Sequence, residues 1–289
     1  MMTNMKKMVA LLAGFIGSMW HPMPSLFLTP IRPENQQISA ASDSLLFLEK
    51  QKLAATGTNT ATRTLVAAES FLGSPYVHGC LDCFVEEKLT VNLRQMDCWT
   101  FVENSLAIAL SHDKNYSFYE TQLQQLRYWG GTIDGFGSRI HYFTGWLLQA
   151  EKCGIIQDVT ASMGGIPYKK RIGYISARPA KYPKIQDKKN LHDLQAAEKR
   201  INAHAWYYIP KNNIARMEHL IQEGDIICLT SVKADLDIAH QGFAVKVNGR
   251  IYLMHASSLA GKVIIARQPL AQYVAAQRGQ SGIIVARIR

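Results

Sequence analysis

The sequence predicts an α+β domain with its helices first and an antiparallel sheet last. Three observations carry this prediction. Amphipathic helical spacing dominates residues 42–152. Short β-rich runs crowd the stretch from Gly224 to Arg287. Asn248-Gly249, a strong short-range hairpin signal, joins two of those runs. Runs of helix followed by runs of strand indicate α+β rather than alternating α/β architecture.

The elements follow in order. Ser42 to Ala55 has helical spacing, with Leu45, Leu46, Leu48 and Leu53 as its apolar set. A second helix spans Ala61 to Leu72 and stops at Gly73, a suitable C′ residue. Gly73 to Gly79 is a turn into an extended segment, and Leu89 to Leu93 alternates like a short strand. Asp97 is placed to cap a helix that ends near Ser111. Tyr116 to Tyr128 is helical and closes at Gly130-Gly131, followed by a Gly-rich loop over Ile133 to Ser138. A further helix opens at Arg139 and runs to about Lys152. The pattern weakens from Val159 to Ile209, where a strand near Arg171 to Ile175 and a polar helix over Leu191 to Ala203 are expected. Strands then span Gly224–Thr230, Gln241–Val247, Arg250–Ala256, Lys262–Ala266 and Gly282–Arg287, with a short helix at Pro269–Gln277.

A chain of 289 residues, 47% hydrophobic and 19% charged, fits one globular domain over residues 42–289, with residues 159–209 as an insertion over the core. Lys6 and Lys7 precede an apolar run from Met8 to Trp20. The run is short for a bilayer span and long enough for an export signal, so residues 1–20 read as a signal peptide, with a buried helix as the alternative. Residues 21–41, rich in Pro, Asn and Ser, read as a flexible leader. The first 79 residues hold no cysteine for a lipid anchor, and no later segment reads as transmembrane. The formal net charge of +10 is scattered. No aromatic-interleaved basic stripe marks a nucleic-acid groove. The charge suits an anionic polymer, although a solvated surface is the plainer reading.

Five cysteines are present: Cys80, Cys83, Cys98, Cys153 and Cys228. Cys98 falls at the first position of its helix, where free amides and the helix dipole favour a thiolate and a nucleophile. A buried, inert thiol is the alternative. Cys80 and Cys83 form a lone C-x-x-C, which supports zinc only weakly and fits a local disulfide or two thiols better.

The hairpin narrows the choice of histidine. If Asn248-Gly249 is a two-residue turn, Val247 pairs with Arg250 and Gly242 with His255. His240 then shares a face with His255 as a diagonal neighbour, about 7–8 Å away at Cα. Two histidines so placed look like a base and its orienting partner. The competing reading puts one on the surface and the other in the core. No third ligand for a metal is implied by the spacing. Arg139, His141 and Tyr142, after a Gly-rich loop, fit a cleft wall that grips a carboxylate. Pairing of Arg139 with a protein carboxylate such as Glu103 carries equal weight.

Five motifs together resemble one bacterial family: Gly73-Ser74-Pro75-Tyr76-Val77-x-Gly79, Val91 to Arg94, Asp97-Cys98-x-Thr100-Phe101-Val102-Glu103, Ser138 to Thr144, and His255-Ala256-Ser257-Ser258. The family is that of N-acetylmuramoyl-L-alanine amidase-like proteins, within the NlpC-like, papain-fold cysteine hydrolases. The resemblance spans most of residues 60–289. It implies a papain-like fold, Cys98 as nucleophile, His240 as general base and His255 as the orienting group. It implies that Tyr76 helps hold the oxyanion and that Asp97 is the acidic residue before the cysteine. Cys80 and Cys83 depart from its pattern. It further implies an exported, periplasmic or cell-envelope enzyme acting on peptidoglycan or muropeptides without metal or organic cofactor, membrane anchor or nucleic acid. Alternatives are an endopeptidase cutting the stem peptide after D-glutamate, a silent peptidoglycan-binding module, and an acyltransferase on the same fold.

Overall fold

The structure, a computed structural model, describes residues 33–289 apart from Cys83, with side chains of the first helix described from Asp43 onward. Residues 1–20, read as an export signal, lie outside the described residues, as does most of the expected leader. Among the described residues, five α-helices precede the first strand: α1 (Pro33–Ala54), α2 (Thr60–Glu69), α3 (Cys98–Leu110), α4 (Tyr116–Arg127) and α5 (Phe143–Lys152). Next come β1 (Ile156–Asp158), β2 (Ile166–Pro167), α6 (Lys188–Ala203), β3 (Tyr207–Pro210) and α7 (Ile214–Met217). The chain ends with β4 (Ile226–Ser231), β5 (Ile238–Val247), β6 (Arg250–Ser257), β7 (Lys262–Pro269), α8 (Leu270–Ala276) and β8 (Gln280–Ile288). This is the α+β order expected. No helix among the described residues is long and apolar enough to cross a membrane.

The sheet runs β2-β3-β8-β4-β5-β6-β7, with β1 also on β8, and its strand pairs are antiparallel. Apolar side chains cover both faces, which explains why β4 reads as a continuous hydrophobic run rather than an alternating one. Ile226 and Cys228 enter a core with Phe101 and Trp146, while Ile227 and Leu229 enter a second core with Leu270 and Val274 of α8. Phe101 meets Phe243 edge-on at 5.5 Å, fixing α3 against β5.

The hairpin has the register counted from its turn. Asn248 and Gly249 have φ of 48° and 80°, as a type I′ turn requires, and Val247 pairs with Arg250. The ladder continues to Phe243 opposite Met254. Gly242 comes next, and a Cβ there would lie 2.9 Å from the Cβ of His255 and 2.4 Å from the Met254 carbonyl oxygen. Only glycine fits that approach.

Four expectations need correction. In α1 the core-facing positions are Asp43, Phe47, Lys50 and Ala54, while Leu45, Leu48 and Leu53 are exposed. Residues Leu89–Leu93 form no strand. Side chains satisfy that backbone instead: Arg127 donates to the Thr90 carbonyl, Asn104 to that of Asn92, and Asn92 accepts from the amides of Arg94 and Gln95. Arg171–Ile175 is likewise not a strand, because Asn202 brackets Ile172 and the Tyr142 hydroxyl takes the Ile175 amide. Finally, α5 begins at Phe143, four residues after the expected start. Its Tyr142 cap position gives no side-chain bond, and the buried Asp237 carboxylate takes the Thr144 amide and hydroxyl, both at 2.8 Å. A cap from 93 residues away in sequence cannot be read locally.

Candidate active site

Asp97 caps α3, accepting from the amides of Trp99 at 3.1 Å and Thr100 at 2.8 Å, while Thr100 Oγ1 accepts from the Asp97 amide at 3.0 Å. This reciprocal box fixes the start of the helix and hence Cys98 at its first position. The electrostatic expectation is reversed. Burial, followed by the Asp97 charge, pushes the Cys98 thiol up to about 12. Main-chain hydrogen bonds from Gln241 and the helix start pull the other way and are outweighed. The carboxylate that caps the helix also opposes a thiolate beside it.

Tyr76 reaches the same place through a clamp of main-chain bonds. Its amide donates to the Gly261 carbonyl at 2.9 Å, and Val77 and Pro75 bracket Met96, two residues before Cys98. Burial first, then the charges of Cys98, Asp97 and Cys80, push its phenol up to about 12, so it is a hydroxyl donor at neutral pH. Cys80 is held near this corner. Its sulfur donates to the Val77 carbonyl at 2.9 Å, and burial and Asp97 push its thiol up to about 11. The expected bridge to Cys83 involves a residue outside those described.

His240 and His255 meet as the register requires. His240 Nε2 lies 2.6 Å from His255 Nδ1, with the rings nearly perpendicular. Gln241, whose main chain bonds to the Cys98 sulfur, follows His240 directly on β5. His255 is 2% exposed, and its Nε2 has no hydrogen-bond partner among the described residues. Burial, and then His255, lower the His240 imidazole to about 3, while burial lowers His255 to about 4. Both rings are neutral at pH 7, and the thiol is protonated.

The other three expected site residues are structural in their contacts. Arg139 is buried and pairs with Asp82 at 2.5 Å and Glu87 at 3.2 Å, tying the 79–92 loop to the core. Glu103, suggested as its partner, instead binds Arg127 at 2.8 Å. Tyr142 is buried, donating to Glu198 and accepting from the Ile175 amide, each at 2.7 Å. His141 Nε2 bonds to the Phe136 carbonyl at 2.7 Å, and burial lowers its imidazole to about 3. None of the three is brought to Cys98 by the contacts it makes.

Two residues at the site escaped sequence reasoning. Tyr273 of α8 packs edge-on against His255 at 5.3 Å and is close enough to Cys98 for that charge to raise its phenol, after burial. Gln280 opens β8 and is 8% exposed. Both line a cavity of about 720 Å³ with His240, His255, Lys262 and Arg267. The apolar face of α8 was legible, but nothing in its spacing distinguishes Tyr273. Among the described residues, no group of three or more His, Cys, Asp or Glu side chains is placed to hold a metal ion.

Residues 66–283 match the family described as AmiA-like, N-acetylmuramoyl-L-alanine amidase-like. Among solved structures, an N-acetylmuramoyl-L-alanine amidase from Bacteroides uniformis ATCC 8492 is 32% identical, with a TM-score of 0.76 over 80% of this chain and 99% of that one. A Bacteroides fragilis protein described as a candidate xylanase is 33% identical, with a TM-score of 0.72 over 76% and 99%. A Legionella pneumophila protein at 20% identity and a TM-score of 0.67, over 88% and 95%, shares the fold. None of the curated proteins matches the chain.

Proposed function

The chain belongs to the N-acetylmuramoyl-L-alanine amidase-like family, and on that premise we propose that it is a papain-like cysteine amidase cleaving the bond between N-acetylmuramic acid and L-alanine. The observation that carries the mechanism is the 2.6 Å contact between His240 and His255 on the strand pair beside Cys98. As the Cys98 sulfur attacks the lactyl carbonyl, His240 takes the thiol proton. Asp97 already occupies the Trp99 and Thr100 amides, which leaves the Cys98 amide and the Tyr76 hydroxyl for the oxyanion. The tetrahedral intermediate collapses with loss of the alanine amine, which receives the proton from His240. Water, activated by the same imidazole, then releases the muramic acid from sulfur. His255 holds the His240 tautomer throughout.

Export through residues 1–20 and a cell-envelope location, where peptidoglycan and its fragments are met, belong to the same proposal. A xylanase reading finds less support. Glycoside hydrolysis requires two carboxyl groups flanking the bond, whereas Asp97 is committed to the helix cap. Mass spectrometry of muropeptides incubated with the protein tests the proposal. Release of stem peptides with a free alanine amine is expected. Cleavage after D-glutamate would make the protein an endopeptidase, and intact muropeptides would refute hydrolysis.

A further inference from the structure

A knot of like charge lies outside the cavity of the histidine pair. Two stretches build it, residues 170–182 and the connection from β4 to β5. Lys170 Nζ locks them together, donating to the carbonyl oxygens of Ser231, of Lys233 at 2.8 Å and of Leu236 at 3.0 Å. The Gly173 amide donates to the Asp235 carbonyl at 3.1 Å, and Arg178 donates to the Asp235 carboxylate at 2.6 Å. On this frame three cations gather around one ring. Arg178 lies 3.9 Å from the centroid of Tyr174, and the Lys181 and Lys233 ammonium groups each lie 5.3 Å from it. Lys181 also donates to the Tyr174 hydroxyl at 3.4 Å. That bond, with the charges of the three cations, holds the phenol below its usual range against desolvation. Asp235 neutralises Arg178. Among the described residues, Lys181 and Lys233 have no carboxylate partner, and both are exposed. Two unpaired ammonium groups held at one ring repel each other, and an oxyanion seated between them removes the repulsion.

We propose that Lys181 and Lys233 form a docking site, separate from the catalytic site, for the carboxylates of an anionic polymer, and that this polymer is intact peptidoglycan. This deepens the amidase reading and rests on it only for the identity of the polymer. None of Tyr174, Arg178, Lys181 and Lys233 lines the cavity of His240 and His255. Single-stranded nucleic acid fits poorly. The Tyr174 ring is covered by cations, Lys181 also lies over Tyr182 at 5.5 Å, and the two rings meet edge-on at 6.5 Å, so neither is a bare platform for a base. Stem peptides carry free carboxylates that recur along the polymer, so weak contacts add on an insoluble substrate, while a soluble fragment offers few.

The test is co-sedimentation of Cys98→Ala protein with purified sacculi. Saturable binding is expected at low salt, weakening as salt rises. Adding Lys181→Gln and Lys233→Gln together should weaken it about tenfold. Removing the same charge elsewhere, by Lys52→Gln with Lys246→Gln, should leave it unchanged. All four positions are exposed, so these variants should keep the fold. With Cys98 intact, the Lys181→Gln, Lys233→Gln protein should turn over soluble muropeptides at the wild-type rate and sacculi more slowly. Undiminished binding by that variant, an equal loss in the control pair, lysine dependence that persists on sacculi with amidated carboxylates, or equal binding to phosphatidylglycerol vesicles would overturn the proposal. Failure of the amidase reading is separately visible: wild-type protein would leave soluble muropeptides intact while sacculi were still bound through the two lysines.

Discussion

At the scale of single residues, Asp97 does two things that oppose each other. Its carboxylate builds the start of α3, and its charge helps hold the Cys98 thiol in the neutral form. An asparagine side chain at this position would keep the capping oxygen and remove the charge. Asp97→Asn is therefore expected to lower the thiol pKa and raise the iodoacetamide alkylation rate of Cys98 at pH 7 several-fold, with little change in Tm. An unchanged rate would mean that burial alone sets the thiol. Cys98→Ala should lower turnover by on the order of a thousandfold or more with the fold intact. His240→Ala should be nearly as severe and His255→Ala milder, since in the proposed mechanism one ring moves the proton and the other orients it. Muropeptide turnover by the three variants checks both the size and the order of these effects. Residue identity and the hairpin register picked out Cys98 and the two histidines as candidates. The thiol's protonation state was not legible, because desolvation is a property of what packs around a group.

At the scale of elements, the hairpin was readable because its turn residues and its period of two fix the pairing without help from the rest of the chain. Gly242→Ala should push a methyl into the Met254 carbonyl and the His255 side chain. A loss of about 1–3 kcal/mol in urea unfolding, with a larger proportional loss of turnover, is expected. A stable and fully active variant would show that the strands can part there at no cost. The start of α5 was misplaced for the opposite reason: its cap comes from Asp237. The loop around residues 79–92 is held through Arg139 in the same long-range manner. Arg139→Lys keeps the charge and loses the fork. It should lower stability by about 2 kcal/mol, or roughly 4–8 °C in Tm. KM for muropeptides should stay as it was; a raised KM with unchanged Tm would return Arg139 to substrate binding.

At the scale of the whole molecule, buried neutral histidines link stability to pH. His255 is lowered to about 4 by burial, below the value of about 6.5 for an unfolded chain. Between those values the unfolded state binds the proton and the folded state does not. Stability is therefore full above about pH 6.5 and is lost as pH falls toward 4. The buried carboxyls of Glu103 and Asp237, raised mainly by desolvation, act in the opposite sense. Against that background His255→Gln removes this group together with its lowering effect on His240. Relative to its difference from wild type at pH 7.5, the variant should gain roughly 3 kcal/mol by pH 4, measured by urea unfolding across that range. A difference independent of pH would show that His255 titrates normally in the fold. The order of helices and sheet was visible in the sequence, whereas the distribution of buried charge emerges only when distant segments meet.

The turn at Asn248-Gly249 and the histidine pair lie on the same two strands. Seven residue steps, or roughly 23 Å at 3.3 Å each, separate Val247 from His240. One residue inserted at the tip and absorbed as a slip in pairing would turn one histidine to the opposite face while leaving most of the hydrophobic content in place. On the proposed mechanism, activity therefore depends on the register of the hairpin. A molecule that closes the turn out of phase can still be compact, but it assembles no proton relay. Activity in this protein is in that sense a report on folding fidelity, and a library of turn variants scored for hydrolysis would measure how often strand pairing goes wrong.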